Sequence, residues 1–353
     1  WQSALSRPRW QASVRRYPGA SGLTLRAKET TVNLYRITLR PMGSFLTPWQ
    51  SDTLYGSLCW ELGRIEGETA LQGFLERCRA GDPPFVLSDA FPGRLLPAPF
   101  CLYRLAGRAE PDPEKRLALA REWKRRAWLP EGVFKAICSG RLPPLPPAQA
   151  EPLVQVTRLH VTLDRRSNTS VEQGGLREEE ESHLADTAGI LTLYARVEPE
   201  WKDRFARLWA SMAASGFGKK KSTGKGAFHY EGMTPSSDLA EQPGANGFVS
   251  LSHFTPASGD PTDGDYAFRV KYGKLGEEFA AADNPFKRPL TLLKPGSCFR
   301  ASSPIRPWYG RAVPGLAPAR PEALQMAFAL ALPICFPDDG PAASGAPNVP
   351  GGR

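Results

Sequence analysis

Hydrophobic positions along this chain switch between a period of two and a period near 3.6, and the switches mark its elements. From Thr31 to Pro41 the residues alternate. Val32, Leu34, Arg36 and Thr38 share one face, and Asn33, Tyr35, Ile37 and Leu39 the other. That predicts a β-branched and aromatic strand with one wetter face. Ser51-Asp52 then opens a helix as N-cap residue types. It runs to about Ile65, with Leu54, Leu58, Leu62 and Ile65 on one face. Further helices are expected over Glu68–Ala80, over Asp112–Ala127 and in a short stretch ending near Ser139. Phe85–Leu87, Leu95–Leu96, Val154–Leu163 and Ala188–Val197 read as strands. Leu142–Pro152 is proline-rich and breaks structure, and Asp164–His183 is polar with little periodicity. An amphipathic helix over Pro199–Ser215 leads into a glycine-rich loop, and a strand at Ala227–Tyr230 follows.

This order predicts an α+β fold. Residues 31–235 resemble a split βαβ, ferredoxin-like domain, interrupted by an insertion over about 164–187. Ser236–Gly247 is a linker by composition. Strands at Phe248–Phe254, Tyr266–Tyr272, Pro295–Arg300 and Ala323–Pro333 predict a smaller, β-rich second ferredoxin-like domain over 248–336. The proline-, glycine- and alanine-rich tail 337–353 is expected to be flexible. At 353 residues two domains are the default.

The loop Gly216–Phe228 changes the picture from fold to chemistry. It holds four glycines, four lysines and two hydroxyls, with no acid. Glycines admit positive φ and close ligand approach, and successive N–H groups can form an anion-binding concavity. A phosphate-rich ligand is expected. Gly218 to Gly224 is too long for a P-loop or a dinucleotide fingerprint, and Gly226 follows Lys225 where a P-loop needs Ser or Thr. A mononucleotide-binding enzyme is therefore disfavoured, and a polymer backbone laid along a sheet edge fits better.

Charge supports a local track. The net charge is +9; residues 1–30 carry six Lys/Arg against one acid and the loop adds four lysines, which leaves the remainder near neutral. The 1–30 extension is read as a basic tether. Six cysteines stand far apart without a C-x-x-C pair, which argues against zinc and for reduced thiols in the cytoplasm. No stretch reaches the length of a membrane span, and the N-terminus has no apolar core of a secretory signal. No cofactor or metal is implied.

Several motifs occur in one order: Leu46-Thr47-Pro48-Trp49-Gln50-Ser51-Asp52-Thr53-Leu54-Tyr55-Gly56, then Leu163-Asp164-Arg165-Arg166, then Glu172-Gln173-Gly174-Gly175-Leu176, then the glycine loop, then Lys294-Pro295-Gly296-Ser297. In this order they resemble the RAMP superfamily of CRISPR effector proteins. More closely, they resemble the subunit of the type III-A (Csm) complex that binds the 5′ end of the crRNA. The resemblance covers about residues 31–336. It implies a non-catalytic subunit of two ferredoxin-like, RRM-related modules that caps the backbone filament and anchors the 5′ handle. It also implies partners: crRNA, a large cyclase/nuclease subunit, an adjacent backbone RAMP subunit, and target RNA near a β-hairpin thumb. The Lys219-Lys220-Lys221 run and the 1–30 extension depart from the family pattern.

Phosphate contacts are expected from Lys219, Lys220, Lys221 and Lys225, with Ser222, Thr223 and the backbone at Gly216, Gly218 and Gly224 fixing position. Ser44, Phe45, Trp49 and Gln50 are candidates to stack on or hydrogen-bond handle bases, with a core role for Phe45 as the alternative. Arg158, His160, Arg165, Arg166 and Arg177 flank or sit in the insertion, and Asp164 is read as a local ion pair. The acidic run Glu178–Glu181 is expected to face solvent or a basic neighbour. The competing function is a metal-independent endoribonuclease, for which His229 is the candidate general base.

Overall fold

The computed structural model describes residues 32–148, 150–170, 175–185, 188–276, 278–279, 283–302 and 304–337. The expectations for the 1–30 extension and for the tail beyond residue 337 lie outside the described residues.

The first half is built on an antiparallel sheet. Its path runs Phe228–Pro235, Asn33–Pro41, Leu191–Val197, Phe85–Leu87, and the short strand Phe91–Pro92 also pairs with Leu191–Val197. In chain order the four strands of the path are fourth, first, third and second. Helices Ser51–Glu66 and Glu68–Arg79 follow the first strand, and Lys202–Ser215 follows the third. Leu191–Val197 is buried at every position, as a central strand covered on both faces must be. In the first strand Tyr35, Ile37 and Leu39 are buried while Arg36 and Thr38 are half-buried, so the alternation holds from Tyr35 to Leu39; at its start it fails, with Leu34 buried and Asn33 exposed.

Leu54, Leu58 and Leu62 recur every four residues and are all buried. Ile65, expected on that stripe, is 44% exposed. It sits in the last turn, where the chain leaves the layer at Gly67 with φ +84°. Nor does Ser51-Asp52 cap this helix. Gln50 occupies the cap position without a side-chain cap bond, and the Ser51 N–H donates to Asp89 Oδ1 at 3.0 Å. Asp89 also accepts from the backbone and ring of His253, at 3.2 and 2.5 Å. Burial alone would raise the Asp89 pKa, but the charge and hydrogen bonds of His253 hold it below the usual carboxylate value.

The second half holds a five-stranded antiparallel sheet in the order Gly264–Asp265, Cys298–Arg300, Gly247–Ser250, Gln325–Ile334, Trp308–Val313. Beside it Phe268–Lys271 pairs with Leu290–Leu293. No α-helix occurs among the described residues of this half, so the expected β-α-β-β-α-β order is represented there by strands only. The six cysteines are free thiols, four of them buried. No helix among the described residues is long and apolar enough to cross a membrane.

The halves meet through buried charge. Asp52 has no exposed side-chain surface. Its carboxylate accepts from Lys271 Nζ at 2.8 and 2.7 Å and from Gln325 Nε2 at 2.7 Å. Gln50 Oε1 accepts from the same Lys271 at 3.1 Å. Gly296, with φ +89°, lies so close to Ala98 that a Cβ would sit 2.5 Å from its carbonyl oxygen, and its own carbonyl accepts the Phe100 N–H. Removing one partner of a buried pair strands the other charge. Asp52→Leu should therefore destabilise by about 3 kcal/mol in denaturant unfolding. Asp52→Leu with Lys271→Met should lose less than the single change, because no unpaired ammonium is left.

Candidate nucleic-acid interface

The helix Lys202–Ser215 ends at Gly216, and the loop then takes positive φ at Gly216, Gly218 and Lys220 (+77°, +84°, +61°), and again at Gly224 and Gly226 (+82°, +68°). Lys220 is one of two non-glycine residues with positive φ among those described. It is held there because its carbonyl accepts from the Thr223 N–H and hydroxyl and from the Lys225 N–H.

Packing explains two of the glycines. A Cβ on Gly226 would lie 2.0 Å from the Phe217 carbonyl oxygen, and one on Gly218 would lie 2.5 Å from Thr47. The loop is pinned at both points. Phe217 N–H donates to Gly226 O at 3.0 Å and Gly226 N–H to Ser44 O at 2.9 Å, while Lys219 N–H donates to Thr47 Oγ1 at 2.9 Å. Phe217 is buried and packs on Trp49 with ring centroids 4.4 Å apart. The Trp49 ring in turn meets Phe228 and Phe45 edge-on at 5.1 and 6.1 Å. The apex Ser222, Thr223 and Gly224 is exposed.

A hairpin lies against this loop. Leu153–Val161 pairs with Leu176–Leu184 as a two-stranded sheet of its own, and Leu163–Asp164 with Thr169–Ser170 extends it. The projecting element thus begins at Leu153, earlier than the expected boundary at 164. It is fastened to the first half by reciprocal backbone bonds between Phe45 and Ser182, both 2.9 Å. Because side chains alternate along a strand, the acidic run divides. Glu178 and Glu180 are exposed, and Glu179 and Glu181 are buried against the lysine loop. The expectation that the whole run faces solvent or a neighbouring subunit is corrected here. Glu179 pairs with Lys219 at 3.2 Å and Lys220 at 2.6 Å. Glu181 pairs with Lys225 at 2.7 Å and Arg158 at 3.1 Å. Lys225 also donates to Ser44 Oγ at 2.8 Å. The hydrogen bond from Lys225, above all, holds the Glu181 pKa down at about 2, with Ser44 and Arg158 assisting. The bond from Lys220 leads in lowering Glu179.

His160 Nε2 lies 3.5 Å from Glu179 and His183 Nε2 3.8 Å from Glu181. Donor atoms of His160, Glu179 and Glu181 lie within 4.8 Å of one another, a set able to hold a cation. In this structure three ammonium groups already pair with its two carboxylates.

Other expected site residues are placed as follows. Phe45, Trp49 and Gln50 are buried and present no ring or amide edge to a base. The two rings form the seat of the loop, and Gln50 serves Lys271, so their reading as base contacts is corrected. Ser44 is buried beneath the loop. Arg165, Arg166 and Arg177 are exposed on the hairpin. Asp164 accepts the Arg166 N–H at 2.9 Å, a local turn rather than the expected ion pair. Residues 171–174, including most of the Glu172–Leu176 motif, lie outside the described residues. His229 is exposed on its strand, opposite Arg40, with no side-chain partner among the described residues. Sequence reasoning missed Thr47, Phe217, Glu179 and Glu181. A period-two acidic strand beside an acid-free lysine loop is the signal that could have found the two glutamates.

Gly226→Ala should destabilise the protein by about 3 kcal/mol, since it combines a steric overlap with a strained φ; thermal or denaturant unfolding checks this. The Glu181 carboxyl is depressed below its unfolded value. Its anchoring is therefore fully present above the ordinary carboxylate range and is lost only as pH falls toward 2. Carboxyl NMR titration should find Glu181 titrating near 2, and Lys225→Met should return it toward the ordinary range of about 4.3.

No protein-family model matches the chain, and no curated protein matches it. Solved structures do. A chain from a crystal structure of a Csm1-Csm4 cassette in complex with pppApA is 19% identical, with 87% of this chain and 99% of that chain covered, at a TM-score of 0.58. One from the same cassette in complex with cA4 is 19% identical over 86% and 99%, also at 0.58. A chain from a Csm3-Csm4 subcomplex in the type III-A CRISPR-Cas interference complex is 13% identical over 85% and 99%, at 0.51. At these identities the likeness is one of fold: over most of its length this chain folds like chains of type III-A CRISPR-Cas subcomplexes.

Proposed function

We propose that this chain is a non-catalytic RNA-binding subunit of a type III-A (Csm) CRISPR interference complex. In this reading it caps the backbone, anchors the 5′ repeat-derived handle of the crRNA, and docks the large cyclase/nuclease subunit and an adjacent backbone RAMP subunit. The fold likeness supports it, because Csm4 is the component common to the Csm1-Csm4 and Csm3-Csm4 assemblies. The fourth-first-third-second strand order, with helices after the first and third strands, supports a ferredoxin-like first module. The β-rich half is its reduced companion, and the hairpin is the thumb that meets the guide–target duplex.

The observation that carries the reading is a lysine loop fixed at its base and exposed at its apex. The N–H groups of Phe217, Lys219 and Thr223 to Gly226 bond inside the chain, so an anion is met by the lysine ammonium groups and the exposed Ser222. The base of the loop is clamped to Ser44 and Thr47 while its apex is open. Phosphate contacts of this kind position a strand without reading its sequence. The ion pairs add a condition: a phosphate that recruits Lys219 or Lys220 must compete with Glu179. The candidate general base of a nuclease reading, His229, makes no side-chain hydrogen bond or ion pair among the described residues.

Replacing Lys219, Lys220 and Lys221 by Ala should weaken crRNA binding and flatten its salt dependence by about 0.7 in log–log slope for each phosphate no longer neutralised. Glu179→Gln should do the reverse, tightening binding and steepening the slope as Lys219 and Lys220 are released. An unchanged slope in the lysine variant sinks the proposal. So does specific cleavage of repeat RNA that disappears in His229→Ala.

A further inference from the structure

The second half carries a surface that the glycine loop does not explain. From Tyr266 to Tyr272 alternate residues point outward, with Tyr266 48%, Phe268 61%, Val270 45% and Tyr272 77% exposed. Three of the four are aromatic. Opposite Val270 in the paired strand, Thr291 is exposed as well. The register is not free to slip. Lys271 points the other way, onto the buried carboxylate of Asp52, and a shift by one residue would exchange the two faces. The rings are therefore held outward by a buried ion pair on the opposite face.

The charges beside the strip differ from those of the loop. Arg269, Lys274 and Lys294 are exposed, and among the described residues none of them makes an ion pair. Lys274 instead lies 5.8 Å from the ring centre of Phe286, itself exposed. The two acids just before the strip are taken, Asp263 by Arg300 and Asp265 by Arg104. A protein interface of ordinary composition depletes lysine and charge at its apolar core. The exposed rings of Phe268 and Tyr272, and that of Tyr266 stacked on Phe299, beside cations without an ion pair among the described residues, suit a single nucleic-acid strand, whose bases stack and whose phosphates need counter-charge.

We propose that the Tyr266–Tyr272 strip is a stacking platform for single-stranded RNA. The proposal rests on the RNA-binding reading above and adds a second contact to it. Through Lys271 the strip is tied to Gln50 and Asp52, in the segment whose Ser44 and Thr47 clamp the glycine loop. Both surfaces thus hang from one stretch of chain.

The test uses the full chain and a fluorescein-labelled uridine oligomer of about twelve nucleotides, within the site size of single-strand binders. Phe268→Ala/Tyr272→Ala should weaken binding roughly ten-fold or more with an unchanged salt slope, while Tyr272→Phe keeps wild-type affinity. Arg269→Ala should instead lower the slope by about 0.7. Unchanged affinity in the double variant, with the glycine-loop lysine variant weakened, overturns the platform, assigns the strip to a protein partner and leaves the RNA-binding reading standing. No binding by the wild type overturns both. Photocrosslinking of a 4-thiouridine oligomer to the unaltered protein decides independently of folding: adducts within 266–272 support the platform, and adducts elsewhere only overturn it.

Discussion

Two carboxylates with no exposed side-chain surface, Asp52 and Glu181, set how this chain is assembled. A buried charge is tolerated only where opposite charge and hydrogen bonds meet it. Asp52 sits in the first turn of the first helix and draws Lys271 and Gln325 from the second half onto it. Glu181 sits on the hairpin and draws Lys225 from the glycine loop, with Arg158 from the opposite strand. In each case the acid and a principal cation come from different elements, so satisfying the charge fixes a tertiary arrangement. Apolar packing alone would tolerate small slips of one layer on another; a buried pair does not.

The same requirement alters the meaning of a basic loop. An acid-free run of lysines reads as a field waiting for phosphate, yet the ammonium groups of Lys219, Lys220 and Lys225 have carboxylate partners within the chain. The local field is thereby reduced, and an anion at the loop must draw its lysines away from these carboxylates or use the exposed Ser222. Phosphate contacts of this kind carry no sequence preference, which suits a site that positions a strand. Specificity, where the chain has any, must come from elsewhere than the buried Phe45, Trp49 and Gln50.

Much of the first half was legible because its elements obey local rules. The Leu54–Leu58–Leu62 stripe, the Tyr35–Ile37–Leu39 alternation and the helix–glycine–strand unit around Gly216 all stand in the structure as their periods predict. What escaped was partner choice. Leu153–Val161 has the period of a sheet strand, and nothing in a period says whether the neighbour is the central sheet or a hairpin of its own. The acidic run escaped for a related reason. Composition treats Glu178–Glu181 as one block, while a strand sends alternate members to opposite faces. Within the signature Thr47 to Thr53, four residues are tethers to something distant: Thr47 to Lys219, Trp49 to Phe217, Ser51 to Asp89, Asp52 to Lys271. A signature made of long-range contacts is dense in sequence but cannot be decoded there.

The two acids of the hairpin are not equivalent, and the difference bears on how a strand could enter. Lys219 is 65% exposed, so its bond to Glu179 reaches solvent. A pair with one end in solvent contributes less and exchanges more readily than an enclosed one. Glu181 lies beneath them with no exposed surface, bonded to Lys225, and the Phe45–Ser182 backbone bonds lie one residue away. A phosphate that takes Lys219 and Lys220 from Glu179 therefore loosens the outer contact and leaves the inner one. The hairpin keeps its attachment while its charged face opens.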